Sequence, residues 1–149
     1  MTLDGRSSDC CNCAMPTECE AVRRMTSAVP AFGSEWQEHL DWWGDQTAGS
    51  YNDMSALAQW VVKQMSDGGE LILSPIFAEM EALLTESPEL HDVLVIGFLE
   101  SVQNLAANSH LDPDVLLPML GPRCTDGWFE LVRMWHGSEG AGWAGRAKA

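Results

Sequence analysis

The apolar residues of this chain recur at helical spacing in one segment after another, and no stretch alternates with period two for long enough to make a strand. In "SEWQEHLDWWGD", Trp36, Leu40 and Trp43 share a face, Ser34 is a suitable N-cap with Gln37 at N3, and Gly44 or Gly49 is the stop. In "MSALAQWVVKQMSDG", capped by Asn52 or Asp53, the stripe is Met54, Leu57, Ala58, Val61 and Met65, and Gly68–Gly69 ends it. The next helix carries Pro75 in its first turn and Ile76, Phe77, Met80, Leu83 and Leu84 on its stripe. Ser87 before Pro88 opens the longest run, Glu89 to about Ser109, and Asp112 before Pro113 opens a short helix ending near Leu120. After Gly121–Pro122, a last helix places Trp128, Leu131, Val132 and Trp135 on one side. Short connections between such helices imply antiparallel neighbours around one core. The spacing predicts an all-α fold: an irregular bundle of about six helices, or a short stack of helical hairpins, with its central helix at roughly 88–109.

The helical domain is placed at 31–137. Residues 1–30 are rich in Ser, Thr, Cys, Ala and Pro, lack helical periodicity, and read as a poorly ordered Cys-containing tail; residues 138–149 read as a Gly-rich frayed tail. A chain of 149 residues with a hydrophobic share of 46% is large enough for one domain with its own core. Its longest apolar run, "VLVIGFL" from Val93 to Leu99, is far short of the ~20 residues a membrane-spanning helix needs. The first residues lack the basic and apolar regions of a secretory signal, so a cytoplasmic protein with no membrane partner is expected.

Charge is the strongest bulk feature. Lys plus Arg is 8 and Asp plus Glu is 22, a net of −14. From Ser34 to Pro122 there are 15 acids, and Lys63 is the only base. Such a surface disfavours nucleic acid, whose phosphates need Lys and Arg, and favours a basic protein partner drawn in electrostatically.

Recognisable chemistry is sparse. Cys10, Cys11, Cys13 and Cys19 are close in sequence and are the only candidate metal ligands, but their spacing lacks the paired C-x2-C arrangement that orients zinc. Neither a metal nor a cofactor is expected. None of His39, His91, His110 and His136 sits in a zinc-protease motif; Glu35 and His39 are i, i+4 helix neighbours, and His91 beside Asp92 opens the long helix. No G-x-S-x-G and no phosphate-binding loop is present. Nothing assembles a nucleophile, a base and an oxyanion donor, so the chain is expected not to be an enzyme.

The candidate partner-binding residues are Trp42, Asp45, Tyr51, Asp53, Glu100, Gln103 and Asn104. Trp42 and Trp43 point about 100° apart, so with Trp43 inside, Trp42 either packs on a second element or faces a partner as an anchor. In "VIGFLESVQNLA", ideal helical geometry puts Leu94, Val95, Phe98, Leu99, Val102, Leu105 and Ala106 on one arc. It puts Glu100, Gln103 and Asn104 on the opposite stripe, together with Val93 and Ile96. That stripe is a wet face, a brace for neighbouring helices, or a binding face.

The pieces "YNDMSALAQWVV", "IFAEMEALL", "VIGFLESVQNLA", "LDPDVLLPMLGP" and "GWFELVRMW", in this order from about Phe32 to His136, resemble a bacterial family of small acidic all-helical proteins. The resemblance implies an immunity protein that neutralises a secreted polymorphic toxin by direct binding, and it carries over no catalytic residue. The expected function is therefore a non-catalytic acidic protein that binds a basic toxin domain. The alternatives are an adaptor or regulatory helical module for a cellular protein and, third, a metal protein using the Cys cluster.

Overall fold

A computed structural model describes residues 16–44, 46 and 48–136 of the chain. Among these, every regular element is helical. The helices are α1 (Pro16–Thr26), α2 (Gly33–Trp43), α3 (Ser50–Ser66), α4 (Ser74–Glu86), α5 (Glu100–Asn108) and α6 (Pro122–His136). A π-helical segment, Asp92–Leu99, runs directly into α5, and 3-10 turns at Pro30–Phe32, Glu70–Leu73, Pro88–Leu90 and Pro113–Met119 join the rest. The all-α irregular bundle read from the sequence is the architecture found. The central run lies where it was expected, although half of it is not an α-helix.

The run Pro88–Asn108 forms the axis. α3 lies along the π segment and α5, α6 packs on α4 and the π segment, and α1 crosses α3 and α4. Val93, Leu94, Val95, Gly97, Phe98 and Leu99 are all buried, so this stretch has neighbours on nearly every side. The expected single apolar arc fails here for that reason: Val93, placed on the outer stripe, is in the core. The backbone takes wider turns, with the Glu100 N–H donating to the Val95 carbonyl five residues back. The expected stripes of α3 and α4 are buried as read: Met54, Leu57, Ala58, Val61 and Met65 on one, Ile76, Phe77, Met80, Leu83 and Leu84 on the other. On α6, Trp128, Leu131 and Val132 are buried, whereas Trp135, in the last turn, is exposed.

The tail expected over residues 1–30 is corrected from residue 16 onward. α1 buries Cys19, Ala21, Val22 and Met25 in the core, and Val29 and Phe32 follow them inward. Arg24 fixes α1 to α4 through Glu79 (2.9 Å) and Glu86 (2.9 Å). Periodicity was hidden here because Cys19, Ala21 and Thr26 share the inward face with Val22 and Met25, which dilutes the apolar stripe. Residues 1–15 and 137–149, and with them the expected C-terminal tail, lie outside the described residues.

Two expected caps also shift. Ser34 lies inside α2, whose N-cap is Phe32, and α3 begins at Ser50 after Gly49, ahead of Asn52 and Asp53. In each case an adjoining turn or glycine already starts the helix. Asp112 does cap, accepting the Asp114 N–H at 3.0 Å. The N-terminus of α6 is capped from a distance: the Glu81 carboxylate of α4 accepts the backbone N–H groups of Arg123 (3.0 Å) and Cys124 (2.9 Å). Burial raises the pKa of Glu81, but these hydrogen bonds outweigh it and hold the carboxyl below its ordinary value. A Cβ on Gly121 would lie 2.6 Å from this carboxylate, so only glycine leaves it room.

Gly127 plays the matching role on α6, where a Cβ would meet Val95 Cγ2 at 2.8 Å. Alanine would gain about 0.5–1 kcal/mol of helix propensity but incur an overpacking cost of about 1–3 kcal/mol against a β-branched neighbour that cannot rotate away. Gly127→Ala should therefore destabilise the fold in urea titration. The double variant with Val95→Ala should lose less than the two single changes added together. Strict additivity would mean that the two side chains do not compete for this space.

Candidate functional site

Two parts of the molecule carry the candidate residues. The first is the corner between α2 and α3. α2 has no fully buried residue and is held by its inner side alone. A series of rings ties it down: Trp60 on α3 packs on Phe32 (centroids 5.4 Å), Phe32 on Trp36 (6.1 Å), and Trp36 stacks on His39 (5.3 Å). At the end of this series, His39 Nε2 and Asp53 Oδ1 are 2.8 Å apart, with both side chains largely enclosed. Burial raises the Asp53 pKa, and the His39 hydrogen bond offsets this only in part, so the carboxyl lies above its ordinary value. When Asp53 is ionised, His39 Nε2 must carry the proton, because a carboxylate only accepts. Glu35, expected beside His39, reaches Lys63 instead, at 3.3 Å.

The opposite side of α2 faces water. Trp42 is 84% exposed, and Glu38 and Asp41 are exposed beside it. Gln37 Nε2 donates to Asp41 Oδ1 at 3.0 Å. Of the two positions open to Trp42, packing on a second element is thus not the one it takes. Asp45 lies outside the described residues.

Tyr51, in the first turn of α3, is half-exposed. Its ring lies against the π segment, where a Cβ on Gly97 would come within 3.2 Å of Tyr51 Cδ2. Burial and then the Asp92 and Glu18 carboxylates push its phenol above its ordinary pKa, which marks an acidic setting. Asp92 also accepts from His91 Nδ1 (3.1 Å), while His91 Nε2 reaches Glu130 of α6 at 2.8 Å.

The second part is the stripe on the central run, and the structure divides it. Gln103 is buried, at 5% exposure, and its Nε2 donates to the Trp128 carbonyl at 3.3 Å. Glu100 is half-buried and Asn104 exposed. The expectation of one polar stripe is corrected: the inward arc of α5 holds Val102 and Ala106, and Gln103 falls at its edge, within reach of α6. Gln103 braces α5 against α6, as Asp53 braces α3 against α2, so both leave the set of binding candidates. Of the residues read from the sequence, Trp42 and Tyr51 are the aromatic groups that remain presented to a partner. Glu38 and Asp41 were missed; their i−4 and i−1 spacing from Trp42 was the available signal.

For catalysis the arrangement offers little. His39 and Asp53 form a base and its orienting acid, and the ring that stacks on His39 is the Trp36 indole. Cys124 is buried, and burial, then the Glu81 carboxylate, pushes its thiol up to about 12, which makes it a poor nucleophile. Of the cysteines named as candidate metal ligands, Cys10, Cys11 and Cys13 lie outside the described residues, and Cys19 points into the core. Among the described residues no group of His, Cys, Asp and Glu is placed to hold a metal ion, and no helix is long and apolar enough to cross a membrane.

Two outcomes follow from these contacts. Asp53→Ala leaves the His39 ring without its partner in an enclosed site and should cost about 1–3 kcal/mol in chemical denaturation. Asp53→Asn, which can still accept, should lose less; equal losses would mean that the charge and not the hydrogen bond holds the corner. For His91, burial lowers the pKa, but the hydrogen bonds to Glu130 and Asp92 outweigh it and raise the imidazole above its ordinary value. The resulting stabilisation is complete below the unfolded value of about 6.5 and is lost as the pH rises through the higher folded value. Relative to His91→Gln, the wild type should have its larger advantage in urea midpoint near pH 5.5 and lose it by about pH 8.5. A gap that does not change with pH would show that the bridge contributes nothing.

A family model described as a domain of unknown function (DUF7674) matches residues 22–136. The match starts inside α1, ahead of the domain boundary drawn from the sequence. No curated protein and no solved structure matches the chain.

Proposed function

The chain belongs to the DUF7674 family, a domain of unknown function, and from its own residues we propose that it is a non-catalytic acidic binding protein, an immunity-type partner that neutralises a basic toxin domain by direct contact. The observation that carries this reading is the charge pattern: 15 acids against Lys63 between Ser34 and Pro122. Folding uses some of these acids internally. Glu81 caps α6, Asp53 holds His39, and Glu79 and Glu86 clasp Arg24. Glu38, Asp41, Asp67, Glu89 and Asp92 remain exposed, enough to draw in a cationic surface. Two exposed aromatic groups, Trp42 and Tyr51, supply the apolar contact that charge alone cannot give. This reading needs no reacting group. It places the protein in the cytoplasm, where it would protect the cell that makes the toxin.

The test is association with the product of the neighbouring gene. Its on-rate should fall at least about tenfold between low and high salt while the off-rate changes little. Co-expression should rescue cells from that product. Salt-independent association would remove the electrostatic argument, and a housekeeping partner with no toxin would turn the reading to an adaptor.

A further inference from the structure

Among the described residues, nothing packs on the outer side of α2, and the face has a definite chemistry. Trp42 exposes 84% of its surface although Trp36, Leu40 and Trp43 of the same helix are half-buried. Glu38 lies one turn before Trp42, so their side chains adjoin. Asp41 is next to Trp42 in sequence and is held by Gln37 at 3.0 Å. Four acids already have cations or backbone donors: Glu35 has Lys63, Glu79 and Glu86 have Arg24, and Glu81 has α6. On α2, by contrast, two carboxylates and an indole face open water together.

A second copy of the chain is a poor occupant. Each copy carries a net charge of −14, and a two-fold contact here would set Glu38 and Asp41 against their own equivalents. A cation is the complementary group, and the indole decides which one. An ammonium is a compact, strongly hydrated charge. A guanidinium is planar and weakly hydrated, so it can lie on the Trp42 ring while its edge donates to carboxylates.

We propose that the exposed face of α2 is the docking site for an arginine of a basic protein partner, with the guanidinium stacked on Trp42 and paired with Glu38 and Asp41. This rests on the reading above, that the partner is a basic protein, and it names the face and the residue that partner would present. The site sits on the element with the least burial, so occupying it disturbs none of the core.

The experiment uses two synthetic peptides of equal length and charge, one supplying arginine and the other lysine at the same positions, titrated into the full chain. The wild type should prefer the arginine peptide by roughly 2- to 5-fold, the gain expected of an exposed cation–π contact. Trp42→Ala should abolish the preference, Trp42→Phe should keep part of it, and Glu38→Gln with Asp41→Asn should weaken both peptides and flatten their salt dependence. All three positions are exposed, and circular dichroism of each variant checks that the helices persist. No arginine preference in the wild type, or an unchanged preference in Trp42→Ala, overturns the assignment. The same variants measured against the product of the neighbouring gene separate the two levels. Salt-sensitive binding of that product, unaffected by Trp42→Ala, overturns the site and leaves the function standing. Arginine preference lost in Trp42→Ala, with no binding of that product, supports the site and overturns the function.

Discussion

The segment Val93–Leu99 has no polar side to turn to water, so the rest of the chain has to enclose it. Each large aliphatic or aromatic side chain buried there contributes about 1.5–3 kcal/mol, and Val93, Leu94, Val95, Phe98 and Leu99 are all inside. Enclosure needs close neighbours on more than one side. α3 closes one side at Gly97, where the Tyr51 ring and Met54 come up to the backbone, and α6 closes another at Gly127, where Val95 fills the space a Cβ would take. The wider π-helical turns belong to the same stretch, in which every residue but the partly buried Ile96 is buried. Gly121 extends the principle to a polar contact, leaving room for Glu81 to cap α6.

The helices themselves were legible because large apolar residues at helical spacing need no tertiary information. The α3 and α4 stripes, the Asp112 cap and the place of the central run all followed from spacing and punctuation. α1 was missed because Cys19, Ala21, Val22 and Met25, with Thr26 among them, make a weak stripe whose burial depends on what α3 and α4 place opposite. Gln103 was misplaced because its side of α5 is decided by the carbonyl of Trp128, twenty-five residues away. His39–Asp53 and His91–Glu130 likewise join residues on separate helices, so neighbour spacing offers the wrong partner, Glu35, for His39 and finds only one of two, Asp92, for His91. Trp42 is the instructive case: sequence geometry reduced it to two positions, and only the fold, in which no described element lies over it, chose between them.

Net charge overstates what the surface offers. Where a carboxylate reaches a helix N-terminus, a guanidinium or an enclosed imidazole, its charge is spent inside the fold. Arg24 shows the economy of this arrangement: a single cation pairs with two acids of α4, while Val22 and Met25 in the core hold α1 in place. What remains for recognition is a smaller, positioned set of acids. That set has value only where an apolar group lies beside it, since exposed charge pairs in water contribute little on their own.

α2 is where that combination occurs, and its attachment explains why it can occur there. A helix with no fully buried residue would normally be marginal. Here the rings of Trp60, Phe32, Trp36 and His39 carry the helix outward from the core one contact at a time, ending at Asp53. The inner face is thus used completely for attachment, and the outer face is left without structural duty. Trp42 could be replaced by a polar residue with no loss to the core. An exposed indole beside two carboxylates suits a face completed by another molecule, and a cationic partner is the one our proposed function calls for.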